Sequence, residues 1–231
     1  MQRRWIGFAL SITLGLLGCA SAQRQPPGQP PTPQSVSVAE PGGDAHDPHA
    51  SALERQLAAP WGFRQDKDDQ LLVPLPDHEH WKRVRFWGIE HFVGFRYGKE
   101  AHVVTAGFVQ DAEEGEKVDS EHCLRRFDKW ARPQLRAHEV KLGPFERREG
   151  SWRDQPLVIQ SVDGHVDWGF SRRRFSVAWT AYPAYPKACL IYAVGVQWGE
   201  HEARAKQVRE RFIREAFQQV NPLTTERPYR K

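Results

Sequence analysis

The sequence predicts an α+β fold in which one antiparallel β-sheet lies sandwiched between helices, an α/β/α arrangement. Three observations lead there. Extended stretches come in two sets, roughly 61–109 and 157–198, and a helical stretch follows each. Several extended stretches are apolar on both faces, so the sheet needs cover on both sides. Each helical stretch carries one apolar stripe with charges opposite, which is the pattern of a cover.

Taken in order, the chain opens on Arg3 and Arg4, followed by the nearly unbroken apolar run from Trp5 to Leu17. A run of that length is too short to cross about 30 Å of hydrocarbon, which takes about 20 residues. A basic start with a short apolar middle reads as an export signal. It ends at Leu16-Leu17-Gly18-Cys19, with Ala20 and Ser21 following. This stretch resembles the lipobox of bacterial lipoproteins. The resemblance implies that residues 1–18 are removed, that Cys19 is acylated on its thiol and its new amine, and that these chains anchor the protein in a membrane. Ala20, in place of aspartate, is similar to lipoproteins passed on to the outer membrane, facing the periplasm. The alternative is a plain secretory signal with a chance cysteine at the cut.

Residues 19–50 read as the acylated cysteine and a Pro-rich disordered tether, since Gln25 to Pro33 favours polyproline II over packing. Such a tether holds a domain tens of ångströms off a bilayer, at about 3.1 Å per extended residue. Residues 51–60 predict a short helix and linker, with Ser51 as N-cap and Pro60 as stop. The globular domain is expected over 61–221, and 222–231 as a frayed basic tail.

Within the domain, Trp61–Arg64 and Leu71–Val73 flank the polar turn 66–69 as a strand pair that Pro74 and Pro76 end. Trp81 opens the next strand. His91–Tyr97 and Ala101–Val109 are joined by Gly98-Lys99, which suits a two-residue type II′ turn. After an acidic run, Asp111 to Glu116, a helix is expected from a cap at Asp119 or Ser120 to about Arg132, where Pro133 ends it. Its inner face holds Cys123, Leu124, Phe127, Trp130 and Ala131. Asp163-Gly164 predicts a hairpin between Leu157–Val162 and His165–Trp168. Phe175–Tyr182 alternates, and Ala188–Trp198 is apolar on both faces, which marks a central strand. From His201 a helix presents Val208, Phe212, Ile213, Ala216, Phe217 and Val220, until Asn221-Pro222 stops it.

The approach Leu71-Leu72-Val73-Pro74-Leu75-Pro76 followed by Trp81, the strand from Ala188 and the helix ending Phe212-Ile213-Arg214-Glu215-Ala216-Phe217 resemble the PsbP-like fold. That resemblance spans about 61–220. It implies an α/β/α sandwich with a non-catalytic accessory or binding role, and it carries over no site residues.

With Cys19 set aside for lipid, Cys123 and Cys189 are left as one pair in an oxidising compartment. They form a disulfide if the helix of Cys123 covers the face of the strand on which Cys189 lies. If they fall on opposite sides of the sheet, they are buried free thiols.

The net charge of +4 includes Arg3 and Arg4, so the mature chain is close to neutral and lacks the excess that nucleic-acid binding draws on. The chain lacks a Gly-x-Ser-x-Gly elbow, a phosphate-binding Gly-rich loop, His-Glu-x-x-His and paired Cys-x-x-Cys. Asp77-His78-Glu79-His80 reads as a solvated turn rather than a metal site, and no metal or cofactor is expected. Trp168, Arg172, Arg173 and Arg174 are the candidate ligand-binding residues, suited to an anionic glycan or lipid headgroup. The functional expectation is a lipid-anchored envelope protein with a protein partner. The alternatives are a module for an anionic envelope ligand and a hydrolase whose site has no recognisable motif.

Overall fold

A computed structural model of the chain describes residues 48–64, 71–84, 92–98, 103–111, 119–137, 139–168, 171–184 and 188–222. The expected export signal, Cys19, most of the expected tether and the residues beyond 222 lie outside the described residues.

Helix α1 (Pro48–Ala58) begins three residues before the expected cap at Ser51. Pro48 suits a first helical position, where its missing N–H has no partner to lose. Strands β1 (Trp61–Arg64) and β2 (Leu71–Pro76) then pair antiparallel, Trp61 opposite Pro76 and Phe63 opposite Pro74. The prolines expected to end this pair are therefore members of it. A 3-10 turn, His78–His80, leads into β3 (Trp81–Val84). Strands β4 (Phe92–Tyr97) and β5 (Val103–Asp111) pair with Tyr97 opposite Val103, which excludes the two-residue turn at Gly98-Lys99. Five residues join them instead. Gly98 still takes a left-handed φ of 77°, open to glycine at no steric cost.

Helix α2 (Ser120–Ala137) is capped by Asp119, whose side chain accepts from the His122 N–H at 2.8 Å. It runs through Pro133 rather than stopping before it. Pro133 and Lys129, whose carbonyl loses its donor, are both exposed, so the interruption falls on the solvent side. The chain continues through β6 (Lys141–Leu142) and β7 (Glu146–Trp152) into three long strands, β8 (Gln155–Trp168), β9 (Ser171–Ala184) and β10 (Ala188–Trp198). Helix α3 (Glu202–Arg211) follows, passing into a π-helical turn Phe212–Ala216 in which Phe217 N–H reaches Phe212 C=O at 3.1 Å. Asn221–Pro222, expected only to stop the helix, forms β11 against Leu72 and Leu71.

The hairpin expected at Asp163-Gly164 is not there. Both residues lie inside β8, paired with Ser176 and Phe175 of β9. Close packing, not turning, uses the glycine: a Cβ on Gly164 would sit 2.7 Å from the Phe175 ring and 2.8 Å from the Lys141 carbonyl oxygen.

The main sheet runs β3-β4-β5-β10-β9-β8-β6, with β7 also on β8, and β1-β2-β11 form a small second sheet. Strand β10 is central, between β5 and β9. Its residues Leu190, Tyr192, Val194 and Val196 face a core closed by α1 and α3, with Leu53, Leu75, Trp81, Phe212 and Phe217. Its opposite residues Cys189 and Ile191 face a second core under α2, with Cys123, Leu124, Val162 and Trp179. The observed fold class is thus the expected α+β sandwich.

Cys123 and Cys189 meet in this second core as a disulfide, Cα–Cα 5.3 Å. Trp152, although flanked by polar Ser151, Arg153 and Asp154, is buried: its indole donates to Val220 C=O at 2.9 Å and its ring meets Tyr182 edge-on at 5.1 Å.

Candidate functional site

Polar groups converge around α1, where the N-terminal segment joins the domain. Arg55 Nε donates to the Tyr97 hydroxyl at 2.9 Å, and Tyr97 donates to Asp77 Oδ2. The other Asp77 oxygen lies 2.7 Å from His80 Nδ1. Asp77 itself sits in the left-handed region, φ 51° and ψ 46°, a conformation that aspartate tolerates better than most residues. Burial pushes the Asp77 carboxyl up, but the bonds from Tyr97 and His80 outweigh it and bring the pKa below the usual value. Burial, then the bond to Asp77, raises the Tyr97 phenol. The pair therefore stays as carboxylate acceptor and neutral phenol donor across the physiological range.

On the far side of α1, Arg211 closes the helix end. Its guanidinium donates to the Gln56 carbonyl at 2.5 Å and the Ala59 carbonyl at 2.8 Å, as a C-terminal cation should. The same group lies 4.8 Å over the Trp61 ring and bonds Glu215 at 3.2 Å. Trp61 Nε1 donates to Glu215 at 2.6 Å, the first cause of that carboxyl's lowered pKa. Arg204 reaches Glu54 at 3.0 Å. Between α1 and α3 lies an open groove of about 490 Å³, lined by Leu57, Gln207, Arg211 and Arg214 among others.

Beneath α3, Arg209 is 5% exposed. It donates to Asp163 at 3.0 Å and Ser176 at 2.9 Å, and pairs with Glu210. Lys206 binds the other Asp163 oxygen at 2.9 Å. Burial raises Asp163, yet Ser176, Lys206 and Arg209 together lower its pKa. Glu210 behaves alike, burial opposed by Arg148 and Arg209. The groups in this cluster are spent on one another, so it locks the helix to the sheet and offers no vacant acid or base.

The residues singled out from the sequence do not form one site. Strand β9 alternates, so Arg172 and Arg174 share the α3 side of the sheet while Arg173 points to the α2 side. Arg172 Nε bonds Asp167 at 2.8 Å and, with Lys141 at 3.0 Å, lowers that carboxyl to about 2. Trp168 ends β8 opposite Ser171, and its side chain lies outside what is described. The 77–80 turn, expected to be simply solvated, is instead bonded into the domain through Asp77. Among the described residues no group of three His, Cys, Asp or Glu is arranged to hold a metal ion, nor is any helix long and apolar enough to cross a membrane.

No family model matches this chain, and no curated protein does. Among solved structures it is similar to the solution structure of cyanobacterial PsbP, CyanoP, from Synechocystis sp. PCC 6803: 14% identity, TM-score 0.44, covering 71% of this chain and 93% of that one. It is also similar to PA94 of Pseudomonas aeruginosa, a protein of unknown function: 13% identity, TM-score 0.32, covering 73% and 98%.

Proposed function

We propose that this chain is a lipid-anchored protein of the cell envelope whose sandwich domain holds a protein partner and carries out no chemistry of its own. The observation that carries the reading is the buried Cys123–Cys189 bridge behind an export signal that ends in Leu-Leu-Gly-Cys. Disulfides persist where thiols are not kept reduced, outside the cytosol. A third cysteine at the end of the signal then has an assignment of its own, as the acylated residue.

The use made of charged groups supports the non-catalytic half. Arg55, Asp77, Tyr97, Arg209 and Asp163 all act as fasteners between elements. The groove between α1 and α3 suits a partner segment, because it offers apolar Leu57 with Arg214, the latter 70% exposed.

The test is fatty-acid labelling with in-cell crosslinking. The wild-type chain should take up label and fractionate with membranes, and Cys19→Ser should do neither. A reproducible crosslinked product should disappear in Leu57→Asp/Arg214→Glu. Undiminished labelling of Cys19→Ser would sink the anchor, and a product indifferent to the groove variant would sink the partner site.

A further inference from the structure

We propose that the outward side of α2, with the strap that carries Phe145, is a docking surface for an anionic lipid bilayer. It rests on the preceding reading only in placing the domain within tether reach of a membrane.

The first argument is charge. Helix α2 carries Arg125, Arg126, Lys129, Arg132 and Arg136 against Glu121 and Asp128 alone. Arg125, Lys129 and Arg132 follow at i, i+4 and i+7, and all three are exposed, so they make one outward stripe about 10 Å long. The two acids answer that stripe only in part, Glu121 through Arg125 and Asp128 through its attraction to Arg132. Glu121 is occupied by Arg125 at 3.3 Å and by Arg147, itself half-exposed. Asp128 is half-buried and turned towards Gln160 of β8, whose amide reaches it at 3.4 Å. On α3, Arg204, Lys206, Arg209 and Arg211 each have a carboxylate within 3.2 Å, whereas on the α2 stripe Arg125 must share Glu121 with Arg147. The acidic run Asp111 to Glu116 precedes the helix, and the cationic stripe begins a turn inside it.

The second argument is an aromatic beside the cations. Phe145, in the exposed strap between β6 and β7, is 49% exposed. It rests edge-on against Trp179 at 5.9 Å, and Trp179 meets Phe127 of α2 at 6.3 Å. Two residues on, Arg147 bonds Glu121. The ring and the stripe therefore lie on the same side of the sheet. A half-exposed ring next to cations suits a headgroup boundary, where the ring enters the acyl edge and the cations meet phosphates. A nucleic acid would call for a wider positive field than a nearly neutral chain provides. The bridge from Cys123 to Cys189 holds the helix in place as a platform.

The experiment is vesicle co-sedimentation of the full chain carrying Cys19→Ser, so that no acyl chain contributes. Phosphatidylcholine vesicles are compared with vesicles containing about a quarter phosphatidylglycerol. Any pull from the N-terminal apolar segment is common to all variants and cancels. Arg125→Gln/Lys129→Gln/Arg132→Gln should lose roughly a hundredfold of the preference for anionic vesicles at low salt, about fivefold per charge, and the remaining binding should depend less on salt. Phe145→Ala should lower binding several-fold at any salt. Arg172→Gln/Arg174→Gln, on the other side of the sheet, should change nothing. Equal binding of the triple variant and its parent, or an equal loss in the Arg172/Arg174 variant, would overturn the proposal. Retention of the parent by an acidic protein but not by anionic vesicles would do the same. Fatty-acid labelling at Cys19 reads none of this, so the anchor and the docking face fail separately.

Discussion

Helix α2 is joined to the sheet by a covalent bond among apolar side chains, whereas α3 is joined through a buried guanidinium shared among carboxylates and a serine. Strand β10 lies between them and supplies both cores with alternate residues. The two attachments act on different states. A disulfide narrows the unfolded ensemble and answers to reduction. A buried ion-pair network fixes position in the folded state and answers to acid, because its carboxylates must stay ionised. A protein fastened both ways loses one cover to a thiol and the other to protons.

The largest effect expected from breaking this asymmetry is on the α2 side. Cys123→Ala/Cys189→Ala opens a loop with a sequence separation of 66, which in the chain-entropy model costs about 4 kcal/mol. Chemical denaturation of the oxidised chain, the reduced chain and the double variant measures it. Identical midpoints with and without reductant would mean that the bridge does not hold α2.

Next in size is Arg209→Met, which keeps volume under α3 and removes the charge. Stripping one partner from a buried pair costs about 3–5 kcal/mol when the other is left alone. Asp163 keeps Lys206 and is about a third exposed, so the expected loss is smaller, about 2 kcal/mol. The two losses should add, because the groups lie on opposite faces and share no partner. A strong coupling in the combined variant would show that the covers are not independent.

The cores were legible in the sequence because alternation on β10 and the stripe Val208, Phe212, Ile213, Phe217 are local patterns, and packing used them as written. What escaped depends on distant partners. Strand β7 reads Glu-Arg-Arg-Glu-Gly-Ser-Trp, with no apolar alternation, and is a strand only by pairing with β8. That pairing is what carries Trp152 inside. Asp163-Gly164 has turn chemistry, yet Asp163 answers to Arg209, 46 residues away, and Gly164 to the Phe175 ring. The Arg55–Tyr97–Asp77 chain spans separations of 42 and 20 residues that no spacing rule reaches. One signal was present and went unused. Asp167 and Arg172 carry opposite charges on either side of 169–170, which marks a hairpin there, extends the following strand back to Ser171 and so divides the three arginines between faces.

The smallest effect sharpens the contrast most, since it has opposite signs on the two sides. Asp163, under α3, has a folded pKa below its unfolded value of about 3.9, burial being outweighed by Ser176, Lys206 and Arg209. Its contribution is therefore present above about pH 4 and is lost as pH falls through the lowered pKa. Asp128, under α2, has a folded pKa raised by burial, which the Gln160 amide and Arg132 only partly offset. Its contribution is present below about pH 4 and is lost as pH rises through the raised value, so at neutral pH the ionised group works against folding. Asp163→Asn should then destabilise the chain at about pH 7 and matter little at about pH 3, while Asp128→Asn should stabilise it at about pH 7 and matter little at about pH 3. Urea midpoints of the two variants and the parent across that range give the answer. Two curves displaced in the same direction would mean that the sheet's faces do not differ in the way their carboxylates are held.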